Sequence, residues 1–298
     1  MTKTFKIAEQ HILDLFKKGT NFSYRNKDYT VILSGKPQSK KGGEPKTDIY
    51  IYAETFEHIN KEFKISFKKK NANFLENKIS ANRAQQLFGD NWENIISNAT
   101  SKLKPKFFSR KLIYKEKFGK TNKGAITLGW KFELLNVKSG ELSGNMYLNR
   151  EQIIDVYAGT NLTEEKKNAI VDNKEIYNSG IANFILFEDA PIATAQDAIN
   201  SLIPIHDYVD QHPDIYFACK ALNYRTFVNK YDGNRPLAVY VKWFVENQKL
   251  DYKLCFNSPL TPANGVYQDL KNALNLLKVK NTADLNEFNV KDITKIYE

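Results

Sequence analysis

Two short stretches in the first quarter of the chain alternate polar and apolar residues with a period of two. They are residues 48–53 (DIYIYA) and 62–68 (EFKISFK), and the polar segment 54–60 joins them. Such alternation over a few residues is typical of a β-strand with one buried face. The pattern therefore predicts a β-hairpin.

The register of this hairpin decides which polar side chains meet. If the hairpin is symmetric about Glu57, Asp48 faces Ser66, and the apolar residues of both strands share the opposite face. Side chains two residues apart lie on the same face, so Lys68 follows Ser66 at the exit of the second strand. A carboxylate at the start of one strand thus meets a lysine at the end of the next.

Helical spacing of apolar residues predicts helices elsewhere along the chain. Residues 5–16 form an amphipathic pattern that Gly19 ends, and residues 71–103 form two helical pieces that we expect to pack behind the hairpin. Further helices are predicted at 194–205, at 213–223 and after the start Asn149-x-x-Gln152. The sequence shows no internal repeat of the kind that predicts a solenoid.

The hairpin resembles the catalytic element of the PD-(D/E)XK nuclease superfamily, to which many type II restriction endonucleases belong. The resemblance covers residues 44–76. In that superfamily an acidic residue opens one strand, and an acid-x-Lys at the far end of the adjacent strand completes a site that binds a divalent metal and activates a water. Asp48 matches the first acid, with Pro45 three residues before it instead of immediately before.

Two tripeptides compete for the second half of the motif. Glu62-Phe63-Lys64 matches the acid-x-Lys motif in residue type, but the symmetric pairing places it towards the turn and away from Asp48. Ser66-Phe67-Lys68 has the right position, because Ser66 lies opposite Asp48. We favour Ser66 and Lys68, and both pairs stay candidates for the catalytic residues.

The resemblance implies Mg²⁺ as the cofactor and Asp48 as one of its ligands. Serine in place of the second carboxylate leaves the metal one charged ligand short. Glu76, which follows the hairpin closely, is the candidate that we assign to the metal, and Glu62 or Glu9 are the alternatives.

The fold implied is of the α/β (α+β) class: a restriction-endonuclease-like core with a mixed β-sheet flanked by helices. We expect this core in residues 1–140, and an additional α/β region in residues 141–298 that grips DNA, recognises it or forms a homodimer. The implied function is Mg²⁺-dependent hydrolysis of phosphodiester bonds in double-stranded DNA by a type II restriction endonuclease. A phage or repair nuclease and a non-catalytic basic DNA-binding protein are the alternatives, and dependence on a divalent metal separates the last from the others.

The charge of the chain favours a polyanionic partner. Lys and Arg number 44 against 34 Asp and Glu, which gives a formal net charge of +10, although a bias towards Lys and Asn contributes to it. Basic residues cluster in the Gly- and Pro-rich loop 35–46, after the second strand and in the segment 102–123. The candidates for contact with DNA are Lys36, Lys40, Lys41, Lys46, Lys69, Lys70, Arg110 and Lys111.

Other features exclude several classes of protein. Two cysteines without metal-ligand spacing indicate a reducing compartment and exclude a disulfide framework. The chain has no apolar run long enough to span a bilayer, so we expect a cytoplasmic protein. Its four histidines show no metal spacing, and motifs for a serine nucleophile, a phosphate-binding loop or a dinucleotide fingerprint are absent.

The segment KYDGNR (230–235) matches the K-x-D-G-x-R element of ATP-dependent DNA ligases and capping enzymes, in which the lysine becomes covalently modified. Only 63 residues follow Arg235 (298 minus 235), with no later motif of that family. The segment also has the composition of a turn, and a strand-like run follows it at 237–245. We therefore predict a turn here.

Overall fold

The computed structural model describes residues 3–40, 42–69, 73–77, 79–188 and 191–298 and shows a mixed α+β protein. The α-helices are α1 (Lys3–Asp14), α2 (Ala81–Phe88), α3 (Trp92–Ser101), α4 (Lys104–Phe108), α5 (Arg150–Ala158), α6 (Glu164–Lys167), α7 (Ala195–Asn200), α8 (Ile205–Gln211) and α9 (Ala263–Leu276). Short 3₁₀ helices lie at Thr226–Val228, Thr282–Asp284 and Ile293–Lys295.

The strands of the first half are β1 (Asn21–Tyr24), β2 (Lys27–Gly35), β3 (Ile49–Glu54), β4 (Asn60–Lys69), β5 (Phe74–Glu76), β6 (Ile113–Tyr114), β7 (Ala125–Leu135) and β8 (Ser143–Met146). The strands of the second half are β9 (Ile170–Val171), β10 (Lys174–Glu175), β11 (Phe184–Glu188), β12 (Ile203–Pro204), β13 (Ile215–Arg225), β14 (Lys230–Tyr231), β15 (Pro236–Leu237), β16 (Val239–Glu246), β17 (Lys249–Cys255), β18 (Thr261–Pro262) and β19 (Ile296–Tyr297).

The chain divides into two compact units, each built from two separate segments. Unit 1 consists of Met1–Asn73 and Leu148–Pro213, and unit 2 consists of Phe74–Tyr147 and Asp214–Glu298. This division differs from the predicted boundary between residues 140 and 141. The chain leaves unit 1 after β4, builds part of unit 2, and returns to unit 1 at α5.

Unit 1 is organised around one mixed sheet with the order β1-β2-β3-β4-β11-β12. Neighbouring strands are antiparallel except β4 and β11, which run parallel with Ile65 opposite Phe184 and Lys68 opposite Phe187. A parallel neighbour requires a crossover connection. Here the crossover contains α5, so the sheet joins residues that are far apart in sequence.

The apolar face of this sheet carries the main core of unit 1. Ile49, Ile51, Phe63 and Ile65 are fully buried there and belong to one cluster with Ile12 of α1. The predicted helix over 5–16 is thus confirmed, and it is α1 that packs behind the hairpin. The expectation that 71–103 fills this place is wrong, because α2 and α3 belong to unit 2.

The opposite face of the sheet is also covered. The ring of Phe187 on β11 contacts Tyr208 of α8, with 5.4 Å between the ring centroids, and Tyr208 contacts Tyr157 of α5 at 5.2 Å. Tyr50 and Ser66, which the alternation places on this polar face, are consequently buried. The polar side chains of the hairpin therefore lie at low exposure, where charge interactions are stronger than in water.

Helix α5 begins as predicted. Asn149 accepts a hydrogen bond from the backbone N–H of Gln152 at 2.8 Å, and the Gln152 side chain accepts one from the N–H of Asn149 at 3.0 Å. This reciprocal pair is a capping box, which satisfies two of the free donors at a helix start. It fixes the point at which the chain re-enters unit 1.

Unit 2 is built on a second sheet, with the path β14-β13-β7-β16-β17 and β5, β6, β8 and β19 attached to it. Its central pair is β13 with β7, an antiparallel ladder of ten residue pairs in which Phe217 lies opposite Leu134. The prediction of a helix over 213–223 is wrong. Ile215, Phe217 and Cys219 alternate with residues that face the other side, which is the period of a strand.

Residues 232–235 form a bend at the predicted turn, directly after the short strand β14. Asp232 pairs with Arg225 at 3.3 Å, and its carboxylate accepts a hydrogen bond from the Asn223 N–H at 3.2 Å. The carboxylate thus ties the turn back to β13. Strand β16 then follows over Val239–Glu246, close to the strand predicted at 237–245.

Both cysteines, Cys219 and Cys255, are buried free thiols. Within the described residues, no helix is both long and apolar enough to cross a bilayer.

Gly180 fixes the backbone immediately before Asp48, and its replacement tests how closely unit 1 is packed there. Its carbonyl accepts hydrogen bonds from the N–H groups of Lys46 and Thr47 at 3.0 and 3.2 Å. A Cβ at Gly180 would lie 1.8 Å from the backbone oxygen of Lys166. We expect Gly180→Ala to lower the free energy of unfolding by about 1–3 kcal/mol or more, because backbone must move.

The matched control is Gly265→Ala, in helix α9, where an added Cβ meets nothing within 4 Å. Alanine there should leave stability unchanged or raise it by up to about 1 kcal/mol. Urea denaturation followed by circular dichroism measures both. Equal effects of the two substitutions would contradict the close packing around Gly180.

Candidate active site

The hairpin has the predicted register. Strands β3 and β4 pair with Ile49 opposite Ile65 and Ile51 opposite Phe63, which is the symmetric arrangement about Glu57. Asp48 directly precedes β3, and its N–H donates to the carbonyl of Ile65 at 2.8 Å. The acidic residue therefore lies at the end of the hairpin that is remote from the turn.

The Asp48 side chain is also held by the backbone of β4. The N–H of Phe67 donates to Oδ2 of Asp48 at 2.8 Å. Phe67 stands between Ser66 and Lys68 in the sequence, so this bond aligns the carboxylate with the second half of the motif. A carboxylate oriented by a backbone donor is prepared to bind a ligand through its remaining lone pairs.

Burial raises the pKa of Asp48 from 3.8 to about 6, the largest effect on this group. The positive charge of Lys68 opposes it, and the Glu9 carboxylate reinforces it. The hydrogen bond from Phe67 and the charge of Lys36 have smaller effects, and both lower the pKa. Two carboxylates and two lysines of unit 1 therefore act on one another, and Asp48 is at their centre.

Glu9 reaches this cluster from helix α1. The ammonium of Lys36 contacts its Oε1 at 2.5 Å, while Oε2 is buried without a hydrogen-bond partner. The residue is only 5% exposed. The Glu9 carboxylate, one of the three sequence alternatives for a second carboxylate, is thus close enough to raise the pKa of Asp48. The ammonium of Lys36 pairs with Glu9 and neutralises part of its charge.

Two buried hydroxyl groups flank Asp48 and also lack partners. Ser66 is 1% exposed, and neither its Oγ nor the Oγ1 of Thr47 makes a hydrogen bond. A buried polar group without a partner costs about 1–3 kcal/mol and calls for an explanation such as a bound ion or water. Thr47 was not among the sequence candidates, because nothing in its sequence context distinguishes it from other threonines.

These groups fit a hard divalent cation better than a transition metal. Mg²⁺ is held in proteins by one or two carboxylates and keeps several of its waters. Asp48 and Glu9 could supply two carboxylates, and the unpartnered oxygens of Glu9 and Ser66 could bind such a cation or its waters. Among the described residues no group of three or more His, Cys, Asp and Glu side chains forms a metal site.

Glu62 and Lys64 form a separate cluster nearer the turn. The hydroxyl of Tyr50 donates to Oε1 of Glu62 at 2.5 Å, and the ammonium of Lys64 lies 3.5 Å from Oε2. Burial and the Glu62 carboxylate raise the pKa of Tyr50, which stays a donor. The charges that act on Asp48 include Lys68 but not Glu62 or Lys64.

Asn183 stabilises this second cluster and was not predicted from the sequence. Its side chain accepts from the N–H of Lys64 at 2.8 Å and donates to the carbonyl of Glu62 at 3.0 Å. It thereby connects β4 with the residues just before β11. A single asparagine in a polar context carries no sequence signal for this role.

Glu76, which we assigned to the metal, lies in unit 2 and pairs there with Arg83. The Nε and one terminal nitrogen of the guanidinium donate to Oε1 of Glu76 at 3.1 and 3.0 Å. Asp48 and Glu9 belong to unit 1. Glu76 thus forms an ion pair within unit 2, and its assignment to the metal stays a prediction.

The lysines predicted to contact DNA from unit 1 are engaged with acidic residues or the backbone. Lys40 pairs with Glu175 at 2.5 Å, and Lys69 lies 3.6 Å from Glu188. The backbone N–H of Lys46 donates to Gly180, as described above. Lys41 and Lys70 lie outside the described residues.

Arg110 and Lys111 belong to unit 2. A terminal nitrogen of Arg110 donates to Oε2 of Glu141 at 2.6 Å, and the ammonium of Lys111 donates to the carbonyl of Thr294 at 2.8 Å. Neither contact saturates the donors of these side chains. A role of both in binding an anion stays a prediction.

A cleft of about 430 Å³ in unit 1 lies next to Glu9 and Lys36. These two residues form part of its wall, together with Gly43, Glu44 and Pro45 of the loop that precedes Asp48. Asp48 and Lys68 are not among its lining residues.

The raised pKa of Asp48 predicts an unusual dependence of stability on pH. Between pH 3.8 and about 6 the folded state binds the proton more tightly than the unfolded chain, so stability falls as the pH rises through this window. At pH 8 without metal, the free energy of unfolding of Asp48→Asn should therefore exceed that of the wild type by about 2–3 kcal/mol. The variant should accordingly unfold at a higher urea concentration. Below pH 4 the difference should disappear, since Asp48 is then neutral in both states.

Addition of Mg²⁺ at pH 8 is the second arm of this measurement. The cation should stabilise the wild-type protein and leave Asp48→Asn nearly unchanged, because the variant lacks one carboxylate. A wild type that is more stable than Asp48→Asn at pH 8 in EDTA would show that the Asp48 charge is fully compensated in the fold.

The chain matches no protein-family model, no curated protein and no solved structure. Its function must therefore follow from the chemistry of the residues that the fold brings together. These are a buried carboxylate with a raised pKa, a second carboxylate with an unpartnered oxygen, and a lysine at the end of the adjacent strand.

Proposed function

We propose that the chain is a divalent-metal-dependent endonuclease that hydrolyses phosphodiester bonds in double-stranded DNA. The observation that carries the proposal is the meeting of Asp48, Glu9 and Lys68 at one end of the β3–β4 hairpin. This is the arrangement that the resemblance to the PD-(D/E)XK superfamily implies, with Glu9 in place of the missing second acid. Ser66 occupies the position of that acid and contributes a hydroxyl.

The residues of the cluster divide the work between holding the metal and holding the substrate. Asp48 and Glu9 would bind Mg²⁺, which when bound supplies Lewis-acid polarisation of the scissile phosphate. Phe67 fixes the orientation of the Asp48 carboxylate through its N–H, and Lys36 fixes Glu9. Positioning of this kind would hold both carboxylates in place for one cation.

Lys68 would act on the phosphate and on the attacking water. Its ammonium is a point charge that hydrogen-bonds phosphate oxygens and stabilises the negative charge that develops as a water oxygen bonds to phosphorus. One bridging P–O bond then breaks; the attacking water gives up a proton to solvent, and the leaving oxygen takes one up from solvent. The low exposure of the neighbouring Tyr50 and Ser66 strengthens this charge interaction relative to water.

The distribution of charge supports DNA as the substrate. Unit 1 contains 19 Lys and Arg and 19 Asp and Glu, so its formal charge is zero. Unit 2 contains 25 Lys and Arg and 15 Asp and Glu, so it carries the whole +10. The candidate catalytic residues thus belong to unit 1, whereas the net positive charge that attracts a polyanion belongs to unit 2. Unit 2 would supply the sequence-independent part of DNA binding.

The finer classification rests on the resemblance alone. A sequence-specific type II restriction endonuclease that acts in the cytoplasm as a homodimer is the form we propose, with a phage or repair nuclease as the near alternative. Unit 2 would then carry recognition as well as affinity.

Cleavage of DNA in the presence of a metal tests the function directly. The purified protein should cut double-stranded DNA into discrete fragments with Mg²⁺ and leave it intact with EDTA. Asp48→Asn should lose cleavage by at least about 100-fold while it still retards DNA in a gel, because it removes a metal ligand and no contact to DNA. Retardation of DNA by the wild type without cutting, over many substrates and metals, would favour the non-catalytic DNA-binding protein.

Two lysines on the same strand provide a matched comparison. Lys68→Ala should abolish cleavage, whereas Lys64→Ala should retain most of it, because Lys64 pairs with Glu62 while Lys68 is the lysine whose charge acts most strongly on Asp48. Initial rates of plasmid nicking at saturating Mg²⁺ measure both. The opposite ranking would reinstate Glu62 and Lys64 as the half-motif.

A further inference from the structure

Unit 2 contains a cavity of about 320 Å³ that plays no part in the proposed reaction centre. Its lining combines three aromatic with three cationic side chains: Tyr114, Phe118, Trp130, Arg110, Lys111 and Lys220. Aromatic rings interleaved with cations are the composition of sites that bind nucleic-acid bases together with their phosphates.

The aromatic residues form a buried wall and an accessible edge. Tyr114 and Trp130 are buried, whereas Phe118 is 52% exposed. The Phe118 ring lies 6.3 Å from that of Tyr114 at 24° and 4.7 Å from that of Tyr297. These contacts support one side of Phe118 and leave half of the residue for a further ring to stack on.

The loop that carries Phe118 is itself fixed. Phe118 and Thr121 exchange two backbone hydrogen bonds, at 3.0 and 2.8 Å, which close a tight turn at the cavity edge. A ring held in this way loses little conformational freedom when a ligand stacks on it. Binding is then cheaper than at a mobile side chain.

Arg110 has donors to spare for an anion. One terminal nitrogen donates to Glu141, whose side chain is 75% exposed, and the buried Nε has no partner. An ion pair so open to water contributes little, about 0–1 kcal/mol. The planar fork of the guanidinium matches a phosphate, which would satisfy Nε as well.

The volume of the cavity and the charge of unit 2 limit the class of ligand that the cavity can bind. Pockets for small molecules measure about 300–1,000 Å³, so this cavity is at the lower end and holds one nucleotide and not a dinucleotide cofactor. All of the net positive charge of the chain belongs to the unit that contains the cavity. An anionic ligand with an aromatic ring satisfies both conditions.

We propose that this cavity binds a single nucleotide with an unpaired base, the base stacked on Phe118 and the phosphate on Arg110. The inference rests on the proposed function, in which DNA is the substrate, and adds that unit 2 takes one base out of the stack or captures it at a single-stranded end. The energetic cost of unstacking a base is a few kcal/mol and is smallest where the base is mismatched or already unpaired.

Direct binding to the full-length protein tests the cavity. Trp130 lines it, so its fluorescence should change on titration with dAMP, and Trp130→Phe should remove that change. Deoxyadenosine lacks the phosphate and inorganic phosphate lacks the base, so each should bind more weakly than dAMP. Phe118→Ala should weaken dAMP binding by about 5- to 150-fold, the equivalent of one stacked base.

The controls separate stacking from stability. Phe118→Tyr should restore binding, and Phe288→Ala, which removes a 79% exposed aromatic ring of unit 2 outside the cavity lining, should bind dAMP like the wild type. Arg110→Gln should reduce the advantage of dAMP over deoxyadenosine. Binding that is unchanged by both Phe118→Ala and Arg110→Gln would overturn the inference.

DNA that contains 2-aminopurine distinguishes the sources of the base. A Phe118-dependent change of fluorescence with the fluorescent base inside a matched duplex indicates extrusion, and a change only at a mismatch or a single-stranded end indicates capture of a base that is already free. A protein that cuts DNA but shows neither this change nor dAMP binding refutes this inference and leaves the nuclease intact. Phe118-dependent dAMP binding by a protein that cuts no DNA refutes the nuclease and leaves the site.

Discussion

The burial of the Asp48 carboxylate is the constraint on which the site depends. A charge removed from water is unfavourable unless neighbouring groups compensate it, and here a lysine, a backbone N–H and a second lysine do so only in part. The nearby Glu9 carboxylate adds repulsion to this. The fold thus gathers two carboxylates, two lysines and unpartnered buried oxygens, and it tolerates this cost through the packing of the surrounding sheet and helices.

The packing that holds this charge comes from both faces of one sheet. The apolar face buries Phe63 and its neighbours against α1, and the polar face lies under residues of α5 and α8. Glu9 belongs to α1 of that same sandwich, and Asp48 directly precedes its strand β3. Any shift of α1 relative to the sheet would therefore alter the distance between the two carboxylates. The packing of the core thus determines the geometry of the site.

The sequence is sufficient for local features whose signal lies in neighbouring residues. The alternation over the hairpin predicts the pairing of Ile49 with Ile65, because a slip of one residue would expose every apolar side chain. The start of α5 follows from Asn149 and Gln152 in the same way. The choice of Ser66 and Lys68 over Glu62 and Lys64 also needs only the register.

Features that depend on distant segments escape such reasoning. The contact of Glu9 with Lys36, the role of Asn183 beside Lys64 and the assignment of Glu76 to Arg83 each join positions whose proximity no local pattern encodes. The division into units is the largest example. Residues 71–103 have helical periodicity, but periodicity does not state which sheet a helix covers, and the helices there cover the other one.

The interleaving of the two units has a consequence for the time course of synthesis. Ribosomes release a chain from its N-terminus, so β3 and β4 emerge early, but the neighbour of β4 in the sheet, β11, emerges only after the first segment of unit 2. That segment must wait in turn for β13, the main partner of β7. A nascent chain therefore holds Asp48 and Lys68 on an unfinished sheet edge until β11 emerges, and the sheet of the cationic unit is completed later still.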